Sequence, residues 1–294
     1  MMLLAFLVQT FRIAMPYIFA AEGGVMSERS GLIGLTLEGY MLGGAFFGAL
    51  GSYYTGSAWA GLLIAALGGI ALALLYAVSC IRFRADQVVV GIAINLMVIG
   101  ATRFFLRLAF HSSANSPRVP GFGIERTSAG SGLTTLIANP LVWLGIGSVV
   151  FVAWLLYRTP FGLRVRAAGE HPAAATAAGV SVPRVRYVAV SLSGLLAALG
   201  GAYLALDQHQ FSAEMSAGRG FIALAATIFG RWDPVRAALA CLLFAAAETL
   251  QIRLQGAQVI PSQFVEMIPY ALTIIALAGV VGRAVPPAAL GKVD

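Results

Sequence analysis

Charge is scarce in this chain. Only 11% of its 294 residues are charged while 59% are hydrophobic, and the mean hydropathy is +0.86. That balance lies well outside the composition of soluble domains. Cysteine is scarce as well: Cys80 and Cys241 each sit inside an apolar run, which leaves no disulfide framework and no cysteine spacing suited to a metal, so both are expected to be packing residues. The three histidines, His111, His171 and His209, fall in different loops, and neither H-E-x-x-H nor G-x-S-x-G occurs. Nothing in the chain therefore supports a catalytic constellation, a metal site or a cofactor, and an integral-membrane enzyme is the most distant reading. G-x-x-x-x-G-K-[ST] is also missing, so the chain cannot hydrolyse ATP in the P-loop manner; active transport would need a partner's energy or an ion gradient.

What the chain does have is long apolar runs. Windows of about twenty residues pick out spans near Met2–Phe19, Leu32–Leu50, Ala58–Ile81, Val88–Leu108, Leu141–Tyr157, Tyr187–Leu206, Ala237–Leu254 and Met267–Gly282, plus a short piece at Phe221–Phe229. The expected fold is all-α: a polytopic transmembrane helical bundle of about 8–10 spans with one discontinuous half-span helix, forming a single domain over 1–294. The first run has no basic segment before it, so it is expected to be a retained span even though "YIFAAEGG" resembles a signal-peptide cleavage region.

The net charge of +7 is explained by loops rather than by nucleic acid, which is not an expected partner. With the N-terminus outside and the short piece counted as a crossing, twelve basic residues lie inside: Arg29, Arg82, Arg84, Arg158, Arg164, Arg166, Arg184, Arg186, Arg231, Arg236, Arg283 and Lys292. Six lie outside, namely Arg103, Arg107, Arg118, Arg126, Arg219 and Arg253, while Arg12 falls within the first span. The positive-inside rule then puts the C-terminus in the cytoplasm.

Residues 158–186 form the largest inner loop. Pro172 suits the first turn of a helix, "AAATAA" favours its interior, and Gly179 supplies the left-handed residue that closes it. A two-turn helix over about Pro172 to Ala178 is predicted; it is too short to stand alone. It either packs on another protein or lies on the membrane surface with its flanking arginines near lipid phosphates.

Polar residues at membrane depth usually face a cavity or a partner. Glu38 and Asn95 qualify equally as lining a translocation path or as interhelical hydrogen-bond partners, whereas Glu248 fits the structural role better, with Arg253 within its reach. Gly39, Gly43, Gly44 and Gly48 make a small-residue face for close helix approach. Arg103, Arg107 and His111 follow one another at i, i+4 and share the outer end of one span. They either snorkel to the lipid interface or receive an acidic partner.

The stretch "AGRGFIALAATIFGRWDP", Ala217 to Pro234, has eleven residues between its arginines. As a helix these would reach roughly 16–18 Å, too short for a bilayer core of about 30 Å. Gly218 and Gly220 release the backbone at its start and Gly230 at its end, so a half-span helix is the simplest reading, with a short tilted span as the alternative.

Together, "GRGFIALAATIFGRWDPVRAALACLLFAAAETL", "SERSGLIGLTLEGYMLGGAFFGAL", "RADQVVVGIAINLMVIG" and "TPFGLRVRAAGEHPAAATAAGVSVPRVRYVAVSLSGLLAALGGAYLAL" resemble permease subunits of bacterial ABC importers of the branched-chain amino acid, ribose and nucleoside type. The likeness is greatest to the nucleoside and simple-sugar permeases and spans nearly the whole chain except the outer loop after His111. It implies a multi-pass protein of the bacterial cytoplasmic (inner) membrane, paired with itself or a sister permease. Its other implied partners are two cytoplasmic ABC ATPase subunits, an extracytoplasmic substrate-binding protein and membrane lipid. The helix after His171 would be the coupling helix, flanked by Arg164, Arg166, Glu170 and His171, although "HPAAATAAG" is only loosely like the loop other importers use. Glu38 and Asn95 would line or brace the path. The rival mechanism is an ion-coupled secondary transporter of a small polar solute with Glu38 as its ion site.

Overall fold

The computed structural model describes residues 2–112, 114–122, 132–257 and 285–292. Eleven α-helices lie within these residues: α1 (Met2–Arg29), α2 (Leu37–Thr55), α3 (Ala58–Ala77), α4 (Gln87–Phe110), α5 (Gly132–Ala138), α6 (Pro140–Arg158), α7 (Pro160–Glu170), α8 (Pro172–Ala177), α9 (Val182–Asp207), α10 (Arg219–Phe229) and α11 (Pro234–Ala257). A π-helical turn, Val78–Arg82, prolongs α3. Among the described residues, six helices are long and apolar enough to cross a membrane. The span expected at Met267–Gly282, and the arginines at 126 and 283, lie outside the described residues.

The bundle is organised around α9. Of its most apolar stretch 72% is buried, against 28–44% for the other five long apolar helices, and α1, α2 and α3 pack along it. Small residues permit the approach: Gly44 and Gly48 of α2 lie against Ala198 and Ala202 of α9. The glycines of α2 do not form the single face expected, because Gly39 meets Asn95 of α4 and Gly43 meets Leu72 of α3. At a helical rotation of about 100° per residue these positions diverge far enough to serve three neighbours.

Two of the expected boundaries move. The first span runs on to Arg29 rather than ending near Phe19; its inner half carries Glu22, Ser27 and Glu28, which lower the hydropathy yet are buried in the bundle. The second span is broken. Its helix starts at Leu37, and residues 30–36 are not helical. Gly31, at φ +98°, turns the chain out of α1, and the unwound backbone finds side-chain partners. Ile33 N–H donates to Gln87 Oε1 (2.9 Å), Gly34 N–H to Glu28 Oε1 (3.0 Å), Tyr76 Oη–H to the Ile33 carbonyl (2.8 Å) and Asn95 Nδ2 to the Leu35 carbonyl (2.9 Å). Irregular backbone survives at membrane depth only where the protein satisfies it in this way.

The half-span expectation holds: α10 has eleven residues, with Gly218 as its N-cap at φ +83° and Gly230 as its C-cap. The segment before it pairs with the outer loop, Ser116 N–H donating to the Phe211 carbonyl and Val119 N–H to that of His209, both at 2.9 Å. Phe211 is fully buried beneath Phe46 of α2. Residues 208–218 thus descend unwound from the outer end of α9, and only then does α10 begin.

Candidate functional site

The two broken spans are complementary. In one, unwound backbone precedes the outer helix α2; in the other, it precedes the inner helix α10. Both helices therefore begin inside the bundle, and their N-termini meet. Two sets of unpaired N–H groups and two positive dipole ends converge there. Glu38, an anion in the first turn of α2, caps the start of α10: Gly218 N–H donates to its Oε1 (3.0 Å) and Gly220 N–H to its Oε2 (2.8 Å). The helix ends are so close that a Cβ on Gly220 would stand 2.4 Å from the Glu38 nitrogen. On the other side Asn95 uses both ends of its amide, accepting from Gly39 N–H (2.8 Å) and donating to the Leu35 carbonyl. Glu38 and Asn95 thus brace the junction of the broken helices. With each Glu38 oxygen engaged by backbone, the arrangement gives no support to Glu38 as a cation site.

Beside this junction lies an ion pair that the sequence reading misplaced. Arg219, expected at the outer surface, opens α10; its Nη2 donates to Glu248 Oε1 (3.2 Å) and its Nη1 to the Met215 carbonyl (2.9 Å). Glu248 also accepts from the Tyr17 hydroxyl. Tyr17 stands twelve residues before the end of α1, about 18 Å along its axis, so the cluster sits near mid-depth. Glu248 therefore turns to Arg219 and Tyr17, while the Arg253 guanidinium lies over the Phe6 ring at 5.4 Å.

The two-turn helix expected after His171 is present. After α7 the chain turns at His171 into α8, which ends at Ala177, one residue short of the expected boundary, with Gly179 at φ +82° closing it. Most of α8 is exposed and only Ala175 is buried. Arg164 is exposed. Arg166 lies over the Tyr157 ring, 5.3 Å from its centroid, and Tyr157 donates to Asp233 Oδ2 (2.9 Å). Glu170 approaches Arg29 Nη1 at 3.9 Å and accepts from Ala288 N–H (3.2 Å). Ala289 N–H donates to the Gly169 carbonyl (2.8 Å) and Gly291 N–H to that of Gly31 (3.1 Å), which ties residues 288–291 to the inner ends of α1 and α7. At the outer end, Arg103 pairs with Glu214 at 3.0 Å, Arg107 and His111 line a shallow groove with Phe104 and Leu108, and His111 ends α4 at φ +54°.

Broken helices thus meet inside a bundle of long apolar helices, and an exposed two-turn helix follows α7. The sequence matches the family described as branched-chain amino acid transport system / permease component over residues 6–277. The chain belongs to this family. It is a permease component of an ABC importer, a multi-pass protein of the bacterial inner membrane. The permease is 39% identical to the guanosine ABC transporter permease protein NupQ of Bacillus subtilis, over 95% of this chain and 92% of that one. It is 35% identical to the nucleoside ABC transporter permease protein NupC of Lactococcus lactis, over 94% and 92%. Among solved structures, one described as a metal-chelate type ABC transporter in an inward-facing conformation superposes with a TM-score of 0.55, covering 93% of this chain and 85% of that one. At 14% identity this likeness bears on the fold alone.

Proposed function

We propose that this permease carries nucleosides inward, driven by ATP hydrolysed in separate cytoplasmic ATPase subunits. The observation that carries the substrate class is the 39% identity to a guanosine permease along 95% of the chain. A sugar permease reading has weaker support, in 33% identity over 84% of the chain to a protein of Haloferax volcanii named as a glucose ABC transporter permease. The whole chain acts as one transmembrane domain, and residues 158–186 are its cytoplasmic contact. There α8 is the coupling helix: two exposed turns too short to be stable alone, flanked by Arg164, Arg166, Glu170 and His171. A second permease, the same or a sister chain, completes the path. A substrate-binding protein outside docks on the α4 end bearing Arg103, Arg107 and His111.

Alternating access follows from the broken spans. The Glu38 and Asn95 junction keeps two helix N-termini together at depth, so α10 and α2 move as one piece when the coupling helices move. The test of substrate class is competition in membrane vesicles holding the permease, its co-encoded ATPase and its binding protein. Labelled guanosine uptake should be blocked by unlabelled nucleosides and left unchanged by ribose or leucine. Suppression by ribose alone would replace the nucleoside reading with the sugar one.

A further inference from the structure

The half-helix α10 is held by charge at both ends. At its N-terminus stands the Glu38 carboxylate. At its C-terminus Arg29, the last residue of α1, donates from Nε to the Trp232 carbonyl (2.8 Å) and from Nη2 toward that of Arg231 (3.5 Å). An anion at the N-terminus and a cation at the C-terminus both favour the helix dipole. The turn gripped by Arg29 is unusual: Arg231 and Trp232 are consecutive non-glycine residues at φ +54° and +56°, a conformation that L-residues hold only when surroundings impose it. α1 imposes it twice, because Glu28 also accepts from the Trp232 indole N–H.

The third nitrogen of Arg29 faces Glu170, the last residue of α7, two positions before α8 begins. One guanidinium thus spans the root of α8 and the inner end of α10. We infer that Arg29 is a positioning residue that transmits displacement of the coupling helix to α10, and so to the Glu38 junction. This rests on the reading of α8 as the ATPase contact. A rigid helix of eleven residues, about 16 Å long, carries a shift at Trp232 to Gly218 and Gly220. Arginine suits the task because its planar fork addresses two carbonyls and a carboxylate at once, whereas lysine offers a single point charge.

The experiment compares guanosine uptake with ATP hydrolysis in proteoliposomes containing the complete importer. Five permeases are used: wild type, Arg29→Gln, Arg29→Lys, Glu170→Gln and the Arg29→Gln/Glu170→Gln double variant, which completes a cycle. Arg29→Gln should keep ATP hydrolysis while uptake per ATP falls about two- to thirtyfold, the range for residues on a coupling route. Lysine should restore part of the loss. Glu170 is half exposed, so Glu170→Gln is a variant whose folding is safe, and it should also lower uptake per ATP. The double variant should be no worse than Arg29→Gln alone, since both break one link. Unchanged uptake per ATP in both single variants, or additive losses in the double, would overturn the inference. If wild-type uptake itself ignores ATP, the importer mechanism fails first and the inference with it.

Discussion

Replacing Glu38 with alanine should unseat α10. The buried Gly220 N–H and the half-buried Gly218 N–H would lose their acceptor; an unsatisfied buried donor costs about 1–3 kcal/mol, and the half-buried one about 1 kcal/mol, the low end of that range. Loss of the anion facing two helix N-termini adds about 0.3–1 kcal/mol for each. The sum, about 3–6 kcal/mol, is a large part of the roughly 5–15 kcal/mol that holds a typical domain folded. Water cannot replace the carboxylate without repacking, because Glu38 is only 6% exposed and Gly220 lies against its backbone. Glutamine keeps one acceptor oxygen and turns an N–H₂ toward the other donor, so it should lose about half as much. The assay is thermal unfolding of the detergent-solubilised permease. At about 2 °C per kcal/mol for chains of this size, Glu38→Ala should lower Tm by at least about 6 °C, with Glu38→Gln between it and wild type. A Tm for Glu38→Ala within a degree of wild type would refute the capping role.

Gly220→Ala places a Cβ 2.4 Å from the Glu38 nitrogen, and forcing the two helix starts apart should cost about 1–3 kcal/mol, seen as a lower Tm and reduced uptake. The Arg219–Glu248 pair predicts a thermodynamic cycle: Arg219→Met alone should destabilise by up to about 3 kcal/mol, and the Arg219→Met/Glu248→Met double variant by less. A double-variant loss equal to the sum of the Arg219→Met and Glu248→Met losses would show that the charges are not paired. Glu22 is fully buried, and neither of its carboxyl oxygens has a hydrogen-bond partner among the described residues. Glu22→Met should therefore raise Tm, by about 1–3 kcal/mol of relieved polar burial, and a fall in Tm would reveal a partner for that carboxyl.

Some of this structure is legible in the residues because its signals are local. The length of α10 follows from two arginines with eleven residues between them and the glycines beside them, and α8 from Pro172 and Gly179. Glu38 and Asn95 stand out as polar groups in apolar runs. The depth of Arg219 was hidden because residues 208–218 are polar enough to read as an outer loop, although they descend into the bundle. The broken start of α2 was hidden for the opposite reason. "GLIGLT" is apolar, and hydropathy does not distinguish a helix from unwound backbone whose partners are Gln87, Tyr76 and Asn95, about forty to sixty residues away. Arg29 counted only as one more inner charge, since its grip on Trp232 bridges some two hundred residues of sequence.

The decisive measurement is labelled guanosine uptake into inside-defined vesicles carrying the permease with its ATPase and binding protein, with and without internal ATP and with an uncoupler. Uptake that requires ATP and survives the uncoupler is the predicted result. Uptake indifferent to ATP that collapses with the proton gradient would contradict an ATP-driven importer.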